Sequence, residues 1–372
     1  MKIALAITRF IVGVLFIFSG LIKANDPMGL SYKMQEFFEV WGWHALNDYT
    51  LMFAILMITF EIVAGVAVLL GWQFKLFSWL LLLLMLFFTF LTGYAVLSGK
   101  IKECGCFGDC IKLTAMDSFI KDLVLLGLIL FLVAFRNRVK PLFPPLTNII
   151  ILSAATIFCV SLQWYVLRHM PVVDCLPFKT GNNIPQKMQN PPGSVPDSSV
   201  ITFVYKKDGK DVEFTADKFP ADFGDTYQFV KRYDKLVRKG NAEPPIKDFS
   251  LSTFEGTDVT NEFLHEPGYK LILFLKDDYH TQNWPEVFDL LVKTGNTKQI
   301  PSFVVTNIPM ETLRKDSVIN ASVFPLRCDV TAIKTAARTN PSLYLIKEGT
   351  IIDKWGYADF ELALKRIAEL KE

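Results

Sequence analysis

The sequence predicts a membrane α-helical bundle followed by an α/β domain held on one side of the membrane. The chain has 372 residues, is 51% hydrophobic, contains 32 Phe and has a mean hydropathy of +0.31; nearly all the excess apolarity lies in its first 170 residues. Five stretches in that portion approach the ~20 apolar residues that a bilayer crossing needs. From about residue 245 onward, short apolar strands alternate with helical patterns, the order of an α/β sheet domain. The net charge of +2 excludes a general field for polyanions and gives no case for nucleic acid.

The five stretches run from Ile3 to Leu21, Thr50 to Leu70, Leu76 to Leu97, Phe119 to Phe135 and Leu146 to Leu167. The first contains Arg9 and ends in Ser19-Gly20-Leu21-Ile22-Lys23, a poor cleavage site, so it reads as a retained span rather than a signal peptide. An odd number of spans puts the N-terminus and the C-terminal domain on opposite sides. The links Gly71 to Lys75 and Arg136 to Pro145 carry Lys75, Arg136, Arg138 and Lys140 with no acid, which favours the cytoplasm for them. The opposite links hold Lys23, Lys33, Lys100, Lys102 and Lys112, so charge alone does not decide. The cysteines favour the same orientation: Cys104, Cys106, Cys110, Cys175 and Cys328 then face the oxidising side of a bacterial inner membrane.

Within the bundle, a charged residue costs about 2.5–3.5 kcal/mol on insertion scales and needs a reason. Arg9 and Glu61, counted from the same face, differ in depth by about 6 Å at 1.5 Å per residue, which predicts an Arg9–Glu61 pair acting as a structural clamp, or alternatively as a proton or quinone site. Gly13, Gly20 and Gly65 offer small surfaces for close helix contact. Asp117 is a suitable N-cap for the fourth span and lies four residues before Lys121.

The segment Cys104-Gly105-Cys106-Phe107-Gly108-Asp109-Cys110 places three thiols in seven residues of a polar loop between the third and fourth spans. A cysteine used only for packing would lie inside an apolar run, as Cys159 does. Clustering beside Gly and Asp at a membrane edge points to thiol chemistry, with metal binding as the lesser reading because no His or Met flanks the loop. Cys104 and Cys106 are the candidate exchangeable pair, with Cys110 or Cys175 resolving; Lys102 and Lys112 favour the thiolate and Asp109 opposes it.

Arg9-x3-Gly13, Ser19-Gly20-x2-Lys23, Glu61-x3-Gly65-x5-Gly71 and the Cys-Gly-Cys-Phe-Gly-Asp loop together resemble the DoxX/MauE-like family of four-helix membrane proteins over residues 1–140. The resemblance implies thiol- or quinone-linked redox work in the maturation of disulfide-bearing periplasmic proteins. A quinone would then sit near Glu61 and the aromatic residues of spans two and three. Cys110 stands where the family pattern has a small residue, which leaves the pairing of the three loop thiols open.

Residues 141–170 supply the fifth span, and 171–244 read as an extended strap, a Pro- and Asn-rich linker and a β-hairpin around Lys207-Asp208-Gly209-Lys210, with Asp225 to Gly240 a short helix or irregular segment. Residues 245–372 resemble the thioredoxin fold in its TlpA- or peroxiredoxin-like branch. They begin with a small hairpin at Phe249 to Thr260. Strands then follow at Tyr269 to Lys276 and Ser302 to Thr306, and a second hairpin runs through Glu348-Gly349. Asn340-Pro341 falls at the fold's cis-proline position. Where that fold carries Cys-x-x-Cys, this chain has Lys276-Asp277-Asp278-Tyr279-His280-Thr281-Gln282-Asn283-Trp284 with no cysteine, so ordinary dithiol exchange is excluded there. His280 reads as a solvated loop residue and Cys328 as a buried small one.

Three functions follow: a thiol–disulfide component of the inner membrane; a non-enzymatic subunit of an envelope or secretion complex whose degenerate thioredoxin-like domain is a docking platform; and, as the lesser reading, a metal-handling membrane protein with Cu(I) or Zn(II) on the cysteine cluster. The first two expect membrane lipid and a protein partner or client on the periplasmic side.

Overall fold

The computed structural model describes the chain apart from residues 102–104, 106, 196–197, 216–217, 221, 225, 239, 241–242, 278, 280–283, 316–320 and 371–372. Its first half is a bundle of α1 (Lys2–Asn25), α2 (Pro27–Trp41), α3 (Thr50–Leu70), α4 (Phe74–Ser98), α5 (Ala115–Ala134) and α6 (Pro145–His169). Four segments are long and apolar enough to cross a membrane: Lys2–Asn25, His44–Leu70, Phe74–Ser98 and Pro145–His169. The protein is therefore a multi-pass membrane protein. The remaining predicted span is α5, whose 20 residues reach about 30 Å and whose first half carries Asp117, Lys121 and Asp122. It packs along α4 inside the same bundle.

Two glycines set the register between α1 and α3. A Cβ at Gly65 would lie 2.9 Å from the Gly13 carbonyl oxygen, and one at Gly13 would lie 2.6 Å from Leu69 Cδ2. Only hydrogen at both positions lets the two backbones approach so closely. The helices run antiparallel from this contact, which brings Gly20 against Ile62 and Arg9 against Gly71.

That register overturns the expected Arg9–Glu61 pair. Glu61 is level with Ser19 and bonds Lys23, while the Arg9 guanidinium lies at Gly71, ten residues further along α3. The depth count took both helices to begin in one plane. In fact α1 projects beyond the end of α3 by about two turns, so residues at equal depth from their own ends are not neighbours.

α2 was not foreseen. Asp26 caps it by accepting from the Gly29 amide at 3.0 Å, Pro27 opens it, and Gly42 closes it at φ +73°. It packs against α3 at the end of the bundle that also bears the cysteine loop and the C-terminal end of α6.

The strap after α6 is part of the following domain. Met170, Phe178 and Ile184 are buried in its core, and the Ile184 amide donates to the Gly349 carbonyl at 2.8 Å. After α7 (Ile184–Lys187), β1 (Ser198–Lys207), β2 (Lys210–Thr215) and β3 (Gln228–Arg238) form an antiparallel sheet in the order β2-β1-β3. The hairpin at Asp208-Gly209 is as expected. The segment expected to be helical or irregular is instead the third strand, because β1 offers a free edge for it to pair with.

The last portion comprises β4 (Leu251–Ser252), α8 (Thr260–His265), β5 (Tyr269–Leu275), α9 (Pro285–Thr297), β6 (Ser302–Thr306), α10 (Met310–Lys315), β7 (Val323–Cys328), α11 (Val330–Ala336), β8 (Ser342–Lys347), β9 (Thr350–Gly356) and α12 (Phe360–Ala368). The expected hairpin at 249–260 reduces to a bridge between Ser252 and Asp258, and Thr260 starts α8. Strand order is β4-β7-β6-β5-β8-β9, with β5, β6 and β7 parallel and β8 and β9 antiparallel. Within it, β6-β5-β8-β9 with α9 joining the parallel pair and α12 closing is the thioredoxin-like core. Successive β5 residues feed opposite layers: Ile272 and Phe274 join Phe178 and Tyr344, while Leu271 and Leu273 join Trp284 and Phe360. Asn340-Pro341 is cis, as expected from its position.

Candidate functional site

The cysteine loop turns on two glycines. Gly105 has φ +67° and Gly108 φ +55°, and the Gly108 amide donates to the Gly105 carbonyl at 3.0 Å. Cys110 is bonded to Cys175, 65 residues later, so the loop is joined covalently to the strap that enters the thioredoxin-like domain. Cys104 and Cys106, the candidate exchangeable pair, and His280 lie outside the described residues. Cys159 and Cys328 are buried free thiols.

Burial pushes the Cys328 thiol up to about 12 from its usual 9.0, which makes it a poor nucleophile. An unfolded chain would lose this proton first, so Cys328 contributes stability that fades as pH rises from about 9 towards 12. In the native protein at pH 8, Cys328 should resist maleimide, and peptide mapping should find it labelled only after denaturation.

Arg338, on the last turn before the cis-proline, is 6% exposed and joins the two halves. Its Nε donates to Asp26 Oδ2 at 2.8 Å, its Nη2 donates to Asp109 Oδ2, and its guanidinium carbon lies 5.6 Å from the centre of the Tyr32 ring. Burial opposes its charge, but Asp26 and Asp109 outweigh this and hold its pKa above the usual value. Lys276 stands where the missing Cys-x-x-Cys would begin; its Nζ donates to Tyr32 Oη at 2.8 Å and to the Ala337 carbonyl at 3.2 Å. Lys334 reaches Gln35 at 3.0 Å. Beside the disulfide, Lys354 and Asp174 pair at 2.5 Å, with burial lowering the lysine's pKa and Asp174 partly restoring it. The cis-proline face of the thioredoxin-like domain is thus turned onto α2 and the cysteine loop.

Three cavities meet around this loop. A polar groove of about 340 Å³ runs between α2, the loop and α11, and is lined by Lys33, Glu36, Gly105, Asp109 and Lys334 among others. An apolar cavity of about 440 Å³ lies between α2, α3 and α4, walled by Phe37, Trp41, Phe60 and Phe88. Leu56 and Phe87, which also line it, are exposed on the outer face of the bundle. Gly105, the residue between Cys104 and Cys106 in the chain, lines both spaces.

A third cavity of about 260 Å³ lies inside the bundle beneath Phe107. Lys23 Nζ donates to Glu61 Oε1 there at 2.6 Å, with the two side chains 4% and 1% exposed. Lys121 and the fully buried Asp122 pair at 2.7 Å, and Thr92 donates to Asp122 Oδ2 at 3.0 Å. The Phe107 ring lies 5.1 Å below Lys121 Nζ and 6.0 Å from the Phe18 ring, fixing the loop to this chamber.

Residues 1–135, the helices and loop just described, match the family described as methylamine utilisation protein MauE. The match covers about a third of the chain; it ends one residue after α5, and α6 lies beyond it. Residues 199–239, the β1–β3 sheet, match a domain of unknown function, DUF8463. No curated protein matches the chain. Among solved structures, the bacterioferritin comigratory protein of Xanthomonas campestris, described for alkyl peroxide reduction, is similar at 14% identity over 33% of this chain and 90% of that one, with a TM-score of 0.25. So remote a likeness carries no inference, and the thioredoxin-like fold rests on strand order.

The sequence singled out Glu61, Cys110 and Cys175 in or beside this site, and the structure brings Cys110 and Cys175 into one bond. Arg9 lies at the opposite end of the bundle. Lys23, Asp26, Tyr32, Asp122 and Arg338 were missed as site residues. Lys23 was visible as a basic residue at the end of an apolar run, but the register that turns it inward was not.

Proposed function

We propose that the protein is a thiol–disulfide redox component of a bacterial inner membrane, with the thioredoxin-like domain on the periplasmic side, supporting maturation of exported proteins. Cys104 and Cys106 are the exchangeable pair, and Cys110–Cys175 is the tether that holds their loop. The observation that supports this reading is Gly105, which borders both a water-facing polar groove and a lipid-facing apolar cavity. A client cysteine would approach through the groove, and a membrane quinone suits the cavity. The residues present fit such a group: aromatic and aliphatic walls for the ring and tail, with Lys23, Lys33 and Thr92 as polar contacts for its oxygens. When bound, a quinone would supply a two-electron acceptor.

The thioredoxin-like domain has no cysteine at its usual active position and its cis-proline face is occupied by Tyr32 and Asp26. Its part in this reading is to build one wall of the groove.

Thiol trapping in native membranes tests the reading. Cys104 and Cys106 should be found partly reduced, shifting to oxidised when quinone is added and back when a dithiol is added. Cys104→Ser should abolish that response and leave Cys110–Cys175 intact. A pair that never changes state, together with unaltered maturation of exported disulfide proteins in the Cys104→Ser strain, would refute it.

A further inference from the structure

We infer that the Lys23–Glu61 pair is the proton-delivering element of the quinone site, with Lys23 the group that contacts a quinone oxygen. This inference rests on the thiol–quinone reading above. Oxidation of two thiols to a disulfide breaks two S–H bonds, forms one S–S bond and releases two electrons and two protons; a quinone accepts both pairs and leaves as the quinol.

The apolar cavity and the inner chamber are separate spaces, yet Lys23 and Phe88 line both. Lys23 Nζ is gripped by Glu61 Oε1 at 2.6 Å on the chamber side and lies 4.9 Å from the centre of the Phe88 ring, which forms the partition. An ion pair buried this deeply in a bundle is costly, and apolar residues of like volume would serve packing at least as well. Its position explains it. The ammonium is a proton donor presented to a mainly apolar slot, and the carboxylate behind it is the group from which it regains a proton.

A second polar group in the cavity has the same construction. Thr92 lines the slot and donates to Asp122 Oδ2 at 3.0 Å, and Asp122, paired with Lys121, faces the inner chamber. Each of these two polar groups is therefore backed by a buried carboxylate. Both carboxylates open on one chamber, and that chamber is roofed by Phe107 of the cysteine loop. The two protons released at the thiols would pass by way of Asp122 and Glu61, which both line this chamber, Lys23 handing one on at Nζ and Thr92 the other at its hydroxyl. Lys33, the other charged group lining the slot, is paired with Glu36 at 2.8 Å at the water-facing rim.

The test separates the site from the chemistry. The Cys104→Ser/Cys106→Ser protein, in lipid nanodiscs, is irradiated with an azido-substituted benzoquinone and its labelled peptides are mapped. Labelling is expected in the α2 and α4 segments that wall the slot, displaced by an unlabelled short-chain quinone. Lys23→Met alone leaves Glu61 without its partner, so Lys23→Met/Glu61→Gln is the decisive variant. It should cut labelling at least tenfold while circular dichroism and Cys110–Cys175 are unchanged, and Lys23→Arg should keep most of it.

Labelling that is absent, that maps elsewhere, or that survives in the double variant would overturn the inference. If labelling behaves as expected but quinone never changes the state of Cys104 and Cys106 in the wild-type protein, the site stands and the thiol reading falls. If quinone oxidises those thiols equally well in the Lys23→Met/Glu61→Gln background, the thiol reading stands and the proton role falls.

Discussion

Replacing Glu61 with Leu is expected to destabilise the membrane bundle by about 3–5 kcal/mol, the usual cost of removing one partner of a buried ion pair. Lys23 would be left 4% exposed with its ammonium over the Phe88 ring. No other carboxylate is within salt-bridge distance of it among the described residues. The ammonium must then shed its proton or pull α1 out of register with α3, and the Gly13–Gly65 contact leaves little room for sliding. Thermal unfolding in detergent, followed by circular dichroism, should show the loss. Lys23→Met/Glu61→Leu should recover most of it, because an apolar pair of similar volume carries no desolvation cost. If the single variant unfolds at the wild-type temperature, the pair has no structural weight.

Arg338→Met is expected to have the second largest effect, and at a different place. Asp26 and Asp109, 12% and 32% exposed, would lose their shared counter-charge. The cost should fall towards the lower end of about 3–5 kcal/mol, since Asp109 can be rehydrated more readily than Asp26. The chain would not come apart, because Cys110–Cys175 still ties the loop to the strap. Hydrogen exchange should therefore quicken locally, at the start of α2 and the Gly108 amide, while β5 and β8 stay protected. Arg338→Lys should behave nearly as badly, because a single ammonium does not span two carboxylates on different elements. Unchanged exchange at both places in Arg338→Met would show that the clamp is idle.

Much of the architecture was legible from local signals. Solid apolar runs gave the helices of the bundle, and alternation around Asp208-Gly209 and Glu348-Gly349 gave two hairpins, each confirmed by strand pairing. The strand order 6-5-8-9 followed from strand, helix, strand, then hairpin. What failed depended on contacts between distant segments. Gln228–Arg238 becomes a strand because β1 needs a partner, and nothing within its own eleven residues decides that. Arg9 and Glu61 were matched by depth, but register is set where Gly13 meets Gly65, and that contact places Lys23 opposite the carboxylate. Arg338 was invisible as a site residue because its two acids lie 312 and 229 positions away. Cys110 stood out within the thiol cluster, but its covalent partner across 65 residues was one choice among several.

The strap from Met170 to Ile184 is built into the core of the thioredoxin-like domain at Phe178 and anchored at Gly349, rather than left as a free tether. A domain hung on a loose string can swing aside to admit a visitor. One whose string is woven into its own fabric, and riveted beside the knot, stays overhead as a fixed awning. Anything bound for the polar groove beside the loop must then come in sideways, along α2 and α11, with no lifting of the roof.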